Sequence, residues 1–534
     1  MKIEEIISSI PEDEKTSTVL LLLEVIYELR KDNKELRAEV SRLKDEIARL
    51  KGNPPRPKLK PSTTSDINKS EVRKASRRKP KGRTAKNLEV HETKRISWSK
   101  IPKASEFVFE ESIIVQDIII RPVNTKFIRE VRKTSDGKLI RPPWPKYVQG
   151  EFGPNLKAYI LSLYFDSHMT QPSILNHLKD IGSPVSSGQI SNILIEDKDL
   201  FHTEKERILE TSLSNSVSLT ADDTGLRHKG KNGYCTHIGN EFFAYFKSTG
   251  SKSRINFLEI LRGKDSGYSI NGHSLAYYKN QKLSEYKFSL LKRAKGKQFK
   301  DKSEWESFLK FLGIRDEHHI RKATEGALIG RLMTLDINPA LIIVSDDAGQ
   351  FDVFRHALCW VHAERAITSI NTSSYEEDQI IKGVLEGFWD LFRSLHEYKR
   401  SPSSDRRKKI SLDFDKLFLT KKDIESIDKA LASILQKKKE LLMVLEEPSI
   451  PLTNNASEKD IRDQAKKRKI SAGTYSDAGR NARDTFMSLQ KTCKKLGIPF
   501  AKYLYDRLSG ANEIPGLDLI IREKINASIR AAPC

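Results

Sequence analysis

Two apolar runs set the class of fold: SVSLTADD at residues 216–223 and ALIIVSDD at 340–347, each closing on a pair of aspartates. Both are too short for an ordinary helix and carry the β-branched residues of a buried strand. GYCTHIGNEFFAYFKST follows the first run and reads as one or two more strands, whereas ATEGALIGRLMTL before the second reads as a helix. Strands alternating with helices predict an α/β sheet. Asp222 and Asp346 each end an apolar strand directly, at the edge where such sheets gather functional groups. Asp223 and Asp347 should point to the opposite face, because side chains alternate along a strand.

A third acid stands in PLTNNASEKDIRDQAKKRK, residues 451–469. Thr453, Asn454 or Asn455 suits a helix cap, so Glu458 should project from the first turn of a helix. Taken singly, each acid has an ordinary explanation: an aspartate at a strand end caps a turn, and Glu458 pairs with Arg462 one helical turn on. Taken together they make a ligand set. Hard cations such as Mg²⁺ take carboxylate oxygens. Two such ions about 4 Å apart activate one oxygen and stabilise the leaving one at a phosphodiester. Lys466, Lys467, Arg468 and Lys469 would hold a DNA backbone beside that site.

The charge balance agrees. Ninety-four basic and 72 acidic residues give a formal charge of +22, which favours a polyanionic partner. The four cysteines, Cys235, Cys359, Cys493 and Cys534, include no Cys-x-x-Cys pair, which argues against a disulfide framework and a zinc ribbon and fits a reducing compartment. Cys359 and His362 form a Cys-x-x-His pair without two further nearby ligands. They read, with Trp360, as packing behind the strand and positioning Asp346. VLLLLEVIYEL near the start is too short and too charged to span a membrane, and no signal peptide is recognisable. A cytoplasmic, nucleoid-associated protein with no membrane partner is expected.

Ahead of the sheet the chain changes character several times. Leu22, Leu29, Leu36, Leu43 and Leu50 recur every seven residues, with Ile26, Asn33, Val40 and Ile47 between them. Leucine at one seam position, β-branched residues at the other and one buried Asn favour a parallel two-stranded coiled coil over residues 1–50; a single amphipathic helix is the alternative. Residues 51–104 hold 17 basic and 4 acidic residues without periodicity. They read as a flexible linker able to grip phosphates, with Arg77, Arg78 and Lys79 at its centre. FVFEESIIVQDIIIRPV and KFIREVRKT before Asp136-Gly137 predict a small β unit over 105–145. Residues 146–200 read as helix, Gly/Pro turn, helix, the second starting near Ser186 or Ser187 and presenting Gln189 and Asn192. An ordinary helical hairpin fits the same pattern.

At these motifs the sequence resembles transposases of the insertion sequence 66 family, members of the DDE group. ADDTG (221–225) is similar to that family's first-acid segment. VSDDAGQF (344–351) followed by HALCWVHAERA (356–366) is similar to its second-Asp strand and Cys-x-x-His segment. PLTNNASEKDIR is similar to its glutamate motif, and FMSLQKTCKKLGIPFAKYLYDRL (486–508) to its closing helices. The likeness runs with gaps from about residue 150 to 510. The family commonly has a Cys-rich segment ahead of its helical region, where residues 105–140 here have no cysteine.

The resemblance implies an RNase H-like α/β core in two parts, 205–365 and 451–510, split by a helical insertion at 366–450 and followed by a tail at 511–534. It implies a catalytic and metal-binding triad of Asp222, Asp346 and Glu458 with two Mg²⁺ ions, Mn²⁺ serving as substitute. DNA ends and target are the implied substrates, with a dimer or higher oligomer formed through the coiled coil and helper proteins of the same element. The reaction is strand nicking at element ends and transfer by the freed 3′-OH. A non-catalytic DNA-binding regulator, or a domesticated descendant of a transposase, is the alternative, and a nuclease acting on RNA or hybrid substrates is a third.

Overall fold

The computed structural model describes residues 89–96, 106–145, 147–148, 150–370 and 375–531. The coiled-coil positions Leu22, Leu29, Asn33, Leu36, Leu43 and Leu50 and the basic triplet Arg77, Arg78 and Lys79 lie outside the described residues. The chain divides into two units, Met1–Gln116 and Asp117–Cys534. The described part of the first has no helix or strand, and its apolar side chains, Phe107 and Ile113 among them, are exposed.

The β unit expected over 105–145 is reduced to one short hairpin. The apolar residues up to Val123 form no strand; only β1 (Arg132–Lys133) and β2 (Leu139–Ile140) pair, antiparallel around Asp136-Gly137. A β-prone run becomes a strand only where a partner satisfies its backbone, and no such partner lies beside this run among the described residues. The turn itself forms as expected, with Gly137 at a positive φ of 85°.

Helices α1 (Pro154–Phe165), α2 (Gln171–Asp180) and α3 (Ser187–Ile195) then pack on one another, followed by the long α4 (Asp199–Asn215). The second begins behind Thr170, whose hydroxyl accepts from the Ser173 N–H. The third starts at the predicted place behind Ser186, which forms a capping box with Gln189.

The central sheet has the order β5-β4-β3-β8-β9, with β3 (Ser218–His228), β4 (Lys231–Gly239), β5 (Ala244–Thr249), β8 (Ile342–Ser345) and β9 (Arg355–Leu358). β3, β4 and β5 pair antiparallel, whereas β8 runs parallel to β3 and β9 parallel to β8. Between β5 and β8 come α5 (Arg254–Arg262), β6 (Tyr268–Ser269), α6 (Gly272–Asn280), α7 (Glu285–Arg293), β7 (Gln298–Phe299), α8 (Lys302–Phe311) and α9 (Glu317–Leu332). This segment folds around Trp305, which stacks on Tyr268 with ring centroids 5.7 Å apart.

After β9 come α10 (Trp360–Thr368), α11 (Tyr375–Arg400), α12 (Ser404–Leu419), α13 (Glu425–Gln436) and α14 (Lys438–Leu441). Their apolar faces join Ile342 and Val344 of β8 in a second core around Phe388, Phe414 and Phe418. The chain closes with α15 (Asn455–Ser471), α16 (Asp477–Leu496), α17 (Phe500–Ser509) and α18 (Leu517–Ala531). α15 lies against β3 and β4, and α16 against β5. No helix among the described residues is long and apolar enough to cross a membrane.

Candidate active site

Strand register brings the two aspartates to the same end of neighbouring parallel strands. The last parallel pair between β3 and β8 is Thr220 with Val344, so Asp222 and Asp346 each stand two residues beyond it. At that spacing both lie in the same register and on the same side of the sheet. The first run does not stop at its acids. β3 continues to His228 because β4 pairs with it along the whole length, from Thr220–Gly239 to His228–Lys231. Asp222 is therefore mid-strand, at the point where β3 loses its parallel neighbour.

The second acid of each doublet is already occupied. Asp223 accepts from Thr236 Oγ1 at 2.5 Å and from Gln350 Nε2 at 2.9 Å. Asp347 is paired with Lys437. In contrast, Asp222 and Asp346 are held by nearby backbone: Asp222 Oδ1 accepts from the Asp223 N–H at 2.8 Å and Asp346 Oδ1 from the Ala348 N–H at 3.1 Å.

The polar run before Glu458 places its helix on this sheet. Asn454 takes the N-cap position without capping the helix with its side chain. Its amide instead donates to the Ala221 carbonyl at 2.8 Å, and its backbone N–H donates to Cys359 Sγ at 3.2 Å. One residue before the glutamate, buried Ser457 donates to Thr220 Oγ1 at 2.7 Å and lies 3.0 Å from His237 Nδ1. His237 is the antiparallel partner of Asp222, and its other nitrogen is 3.2 Å from Asp460 Oδ2. Burial pushes the Asp460 carboxyl up, but His237 and Lys495 outweigh it and hold it at about 2. This buried latch joins the first turn of α15 to β3 and β4.

Cys359 and His362 serve this helix rather than Asp346 alone. The Cys359 N–H donates to the Ser345 carbonyl at 2.9 Å while its sulfur receives the Asn454 N–H, so one residue ties the end of β8 to the start of α15. His362 Nε2 lies 3.8 Å from Glu458 Oε1. Trp360 is fully buried and donates to the Leu441 carbonyl at 2.9 Å, a core residue as expected.

The charges of Asp346 and Glu458 are both felt at Asp222. Burial raises the Asp222 carboxyl to about 6, and the charges of Asp346, Asp223 and Glu458 push it the same way. Two guanidinium groups stand near Glu458 at more than hydrogen-bond distance, Arg365 at 3.8 Å from Oε1 and Arg462 at 3.7 Å from Oε2, and the His362 ring lies 3.8 Å from Oε1. Its Oε1 is buried without a hydrogen-bond partner. Among the described residues no three His, Cys, Asp or Glu side chains stand as a ready-made cage for an ion.

The basic run divides. Lys466 and Lys469 are exposed, and Arg468 lies along β3, where a Cβ on Gly225 would come within 3.3 Å of its Nη1. Lys467 is not a surface cation. It is fully buried, sits 3.4 Å from the centroid of the Tyr164 ring and donates to the Tyr164 carbonyl; burial lowers its ammonium to about 7. At helical spacing one of four consecutive side chains must turn inward, and here it anchors α15 to α1. On α3, Asn192 is exposed, while Gln189 is half-buried and spends its side chain on the cap. The sequence reading missed the latch residues Thr220, His237 and Ser457 and the cation Arg365. The Thr236-His237 pair within β4 carried no signal for them, since their meaning depends on which helix covers the strand.

A family model described as Transposase IS66 family matches residues 342–482, a span that includes Asp346 and Glu458 but not Asp222. The chain is also similar to a protein of Sinorhizobium fredii (strain NBRC 101917 / NGR234) called Uncharacterized protein y4jO. The two are 38% identical over 303 residues, which is 56% of this chain and 94% of that one.

Proposed function

We propose, for a chain that belongs to the transposase IS66 family, metal-dependent cleavage of DNA strands and transfer of the freed ends, centred on Asp222, Asp346 and Glu458. The observation that carries this reading is the approach of three carboxylates, from β3, the end of β8 and α15: burial raises the Asp222 carboxyl, and the charges of Asp346 and Glu458 push it the same way. The core is read as RNase H-like. A five-stranded sheet whose first three strands are antiparallel, followed by two parallel ones on the other side of the first, supports that reading.

The residues suit Mg²⁺ or Mn²⁺. The donors are all carboxylate oxygens, Glu458 Oε1 lacks a hydrogen-bond partner, and burial with neighbouring acids keeps Asp222 from ionising readily. Bound divalent ions would activate the attacking oxygen and stabilise the leaving one. Asp222 and Asp346 would hold them from the sheet, and Glu458 would exchange its distant cations for them. Cys359, Asn454 and Ser457 fix where the glutamate helix begins. Exposed Lys466 and Lys469 would then bind the strand's phosphates, with the element's two ends held by a dimer or higher oligomer.

The test is incubation of purified protein with labelled element-end DNA in Mg²⁺ or Mn²⁺. Nicking and strand transfer are expected, lost in Asp222→Asn, Asp346→Asn and Glu458→Gln with binding retained. Binding without nicking in either metal would leave a DNA-binding regulator instead.

A further inference from the structure

The loop between α15 and α16, residues 472–476, holds an aromatic ring out into solvent, and the chain works to keep it there. Tyr475 is 82% exposed. Ala472 adopts φ 53° and ψ −149°, a conformation that L residues rarely adopt. The surroundings enforce it. Arg483, itself buried, donates to the Ala472 carbonyl at 2.9 Å. Gly473 lies so close to Arg227 that a Cβ would meet its carbonyl oxygen at 2.4 Å. Thr474 bridges to His228 at the end of β3, its carbonyl accepts from the Lys229 N–H at 2.8 Å, and its hydroxyl lies 2.8 Å from His228 Nδ1.

The stitched loop shares a surface with cations. Arg227, Lys229 and Lys231 are exposed at the turn of the β3–β4 hairpin, and Lys469 is exposed in the last turn of α15. Asp477 pairs with Lys229 at 2.5 Å and with Arg480 at 3.0 Å, which fixes those two beside the loop. An exposed ring on a rigid support among cations is the composition of a stacking platform for an unpaired base, with phosphates on the flanking charges. β3 measures the separation from the acids. His228 is six residues beyond Asp222, or ~20 Å at ~3.3 Å per residue.

We propose that Tyr475 is a stacking site for an unpaired base of single-stranded DNA, flanked by phosphate contacts from Lys231 and Lys469. It rests on the reading of the chain as a DNA-handling protein, and it places strand separation ~20 Å from the carboxylates. A base still paired in a duplex cannot offer its face to the ring.

The test uses the full chain, without divalent ions, with a fluorescein-labelled oligo(dT) strand and a flush-ended duplex of the same length. Tyr475→Ala should weaken oligo(dT) binding about tenfold or more while leaving duplex binding within about twofold. Tyr475→Trp should restore it. The salt slope on oligo(dT) should be unchanged by Tyr475→Ala and reduced by about 0.7 in Lys231→Gln. Equal losses on both probes, no loss on either, or a changed oligomeric mass in Tyr475→Ala with unaltered single-strand affinity would each overturn the proposal. Loss of cleavage chemistry in every form of the protein would remove the proposed enzyme and leave this result standing, so the two fail separately.

Discussion

At the scale of the residue, burial decides what a charge is for. Lys467 lies in a basic run, yet it is enclosed, with its ammonium over the Tyr164 ring. The native state sheds this proton near pH 7, whereas the unfolded chain keeps it to about 10.5. Between those values the unfolded state binds more protons, so stability should rise with pH by up to about 1.4 kcal/mol per pH unit. Lys467→Met should be more stable than the parent near pH 7 and should lose that slope. Urea midpoints measured across pH 7 to 10 check this, and parallel curves for the two proteins would refute it. Asp222 carries the opposite sign. Its carboxyl is raised to about 6 by burial and by its acidic neighbours, so ionisation costs the folded state as pH climbs past the ordinary aspartate range. Asp222→Asn should therefore melt higher than the parent at pH 8 and equally at pH 4. A lower melting point at pH 8 would mean that the repulsion is not felt.

At the scale of the element, the latch of Thr220, Ser457 and His237 determines where Glu458 stands. Ser457→Ala removes a buried hydroxyl and leaves Thr220 Oγ1 and His237 Nδ1 without it, a loss of about 1–3 kcal/mol. DNA affinity should hold while the cleavage rate falls, because the lost tie is in the first turn of α15 beside Glu458, whereas exposed Lys466 and Lys469 lie at the far end of that helix. A loss of affinity with the rate at saturating DNA unchanged would show that the latch does not position the glutamate. Close helix contacts set another limit. On α9, a Cβ at Gly330 would fall 2.0 Å from Ser274 Oγ and 2.4 Å from the Ser269 carbonyl. Gly330→Ala should destabilise the protein by at least the ~1–3 kcal/mol of ordinary overpacking, read as a lower thermal midpoint. These two elements also show what the sequence discloses. The apolar runs before Asp222 and Asp346 and the polar run before Glu458 announced their elements, since each depends on local pattern. The continuation of β3 to His228 did not, because it depends on a partner strand, β4, that supplies its hydrogen bonds. The run ending at Val123 failed in the converse way: its pattern is that of a strand, and it has no ladder.

At the scale of the whole molecule, a formal charge of +22 overstates how many cations are free to meet a polyanion. Lys437 is committed to Asp347, Lys495 to Asp460 and Lys467 to the interior. The number of phosphates engaged, rather than the net charge, sets how steeply DNA affinity falls with salt, at about 0.9 in the logarithmic slope per contact. Lys466 and Lys469 are exposed on the helix that carries Glu458, so replacing both with Gln should flatten the slope by about two. Lys467→Met removes the same formal charge per residue and should leave the slope where it was, because the ammonium it deletes never reaches a phosphate. Titrating DNA binding over a range of salt for the parent, the double variant and Lys467→Met makes the comparison within one experiment. If net charge alone governed binding, all three substitutions would act in proportion to the charge removed, and Lys467→Met would cost half of what the double variant costs. The burial of Lys467 requires instead that it cost nothing, since position on the helix, and not composition, selects which lysines are open to a polyanion.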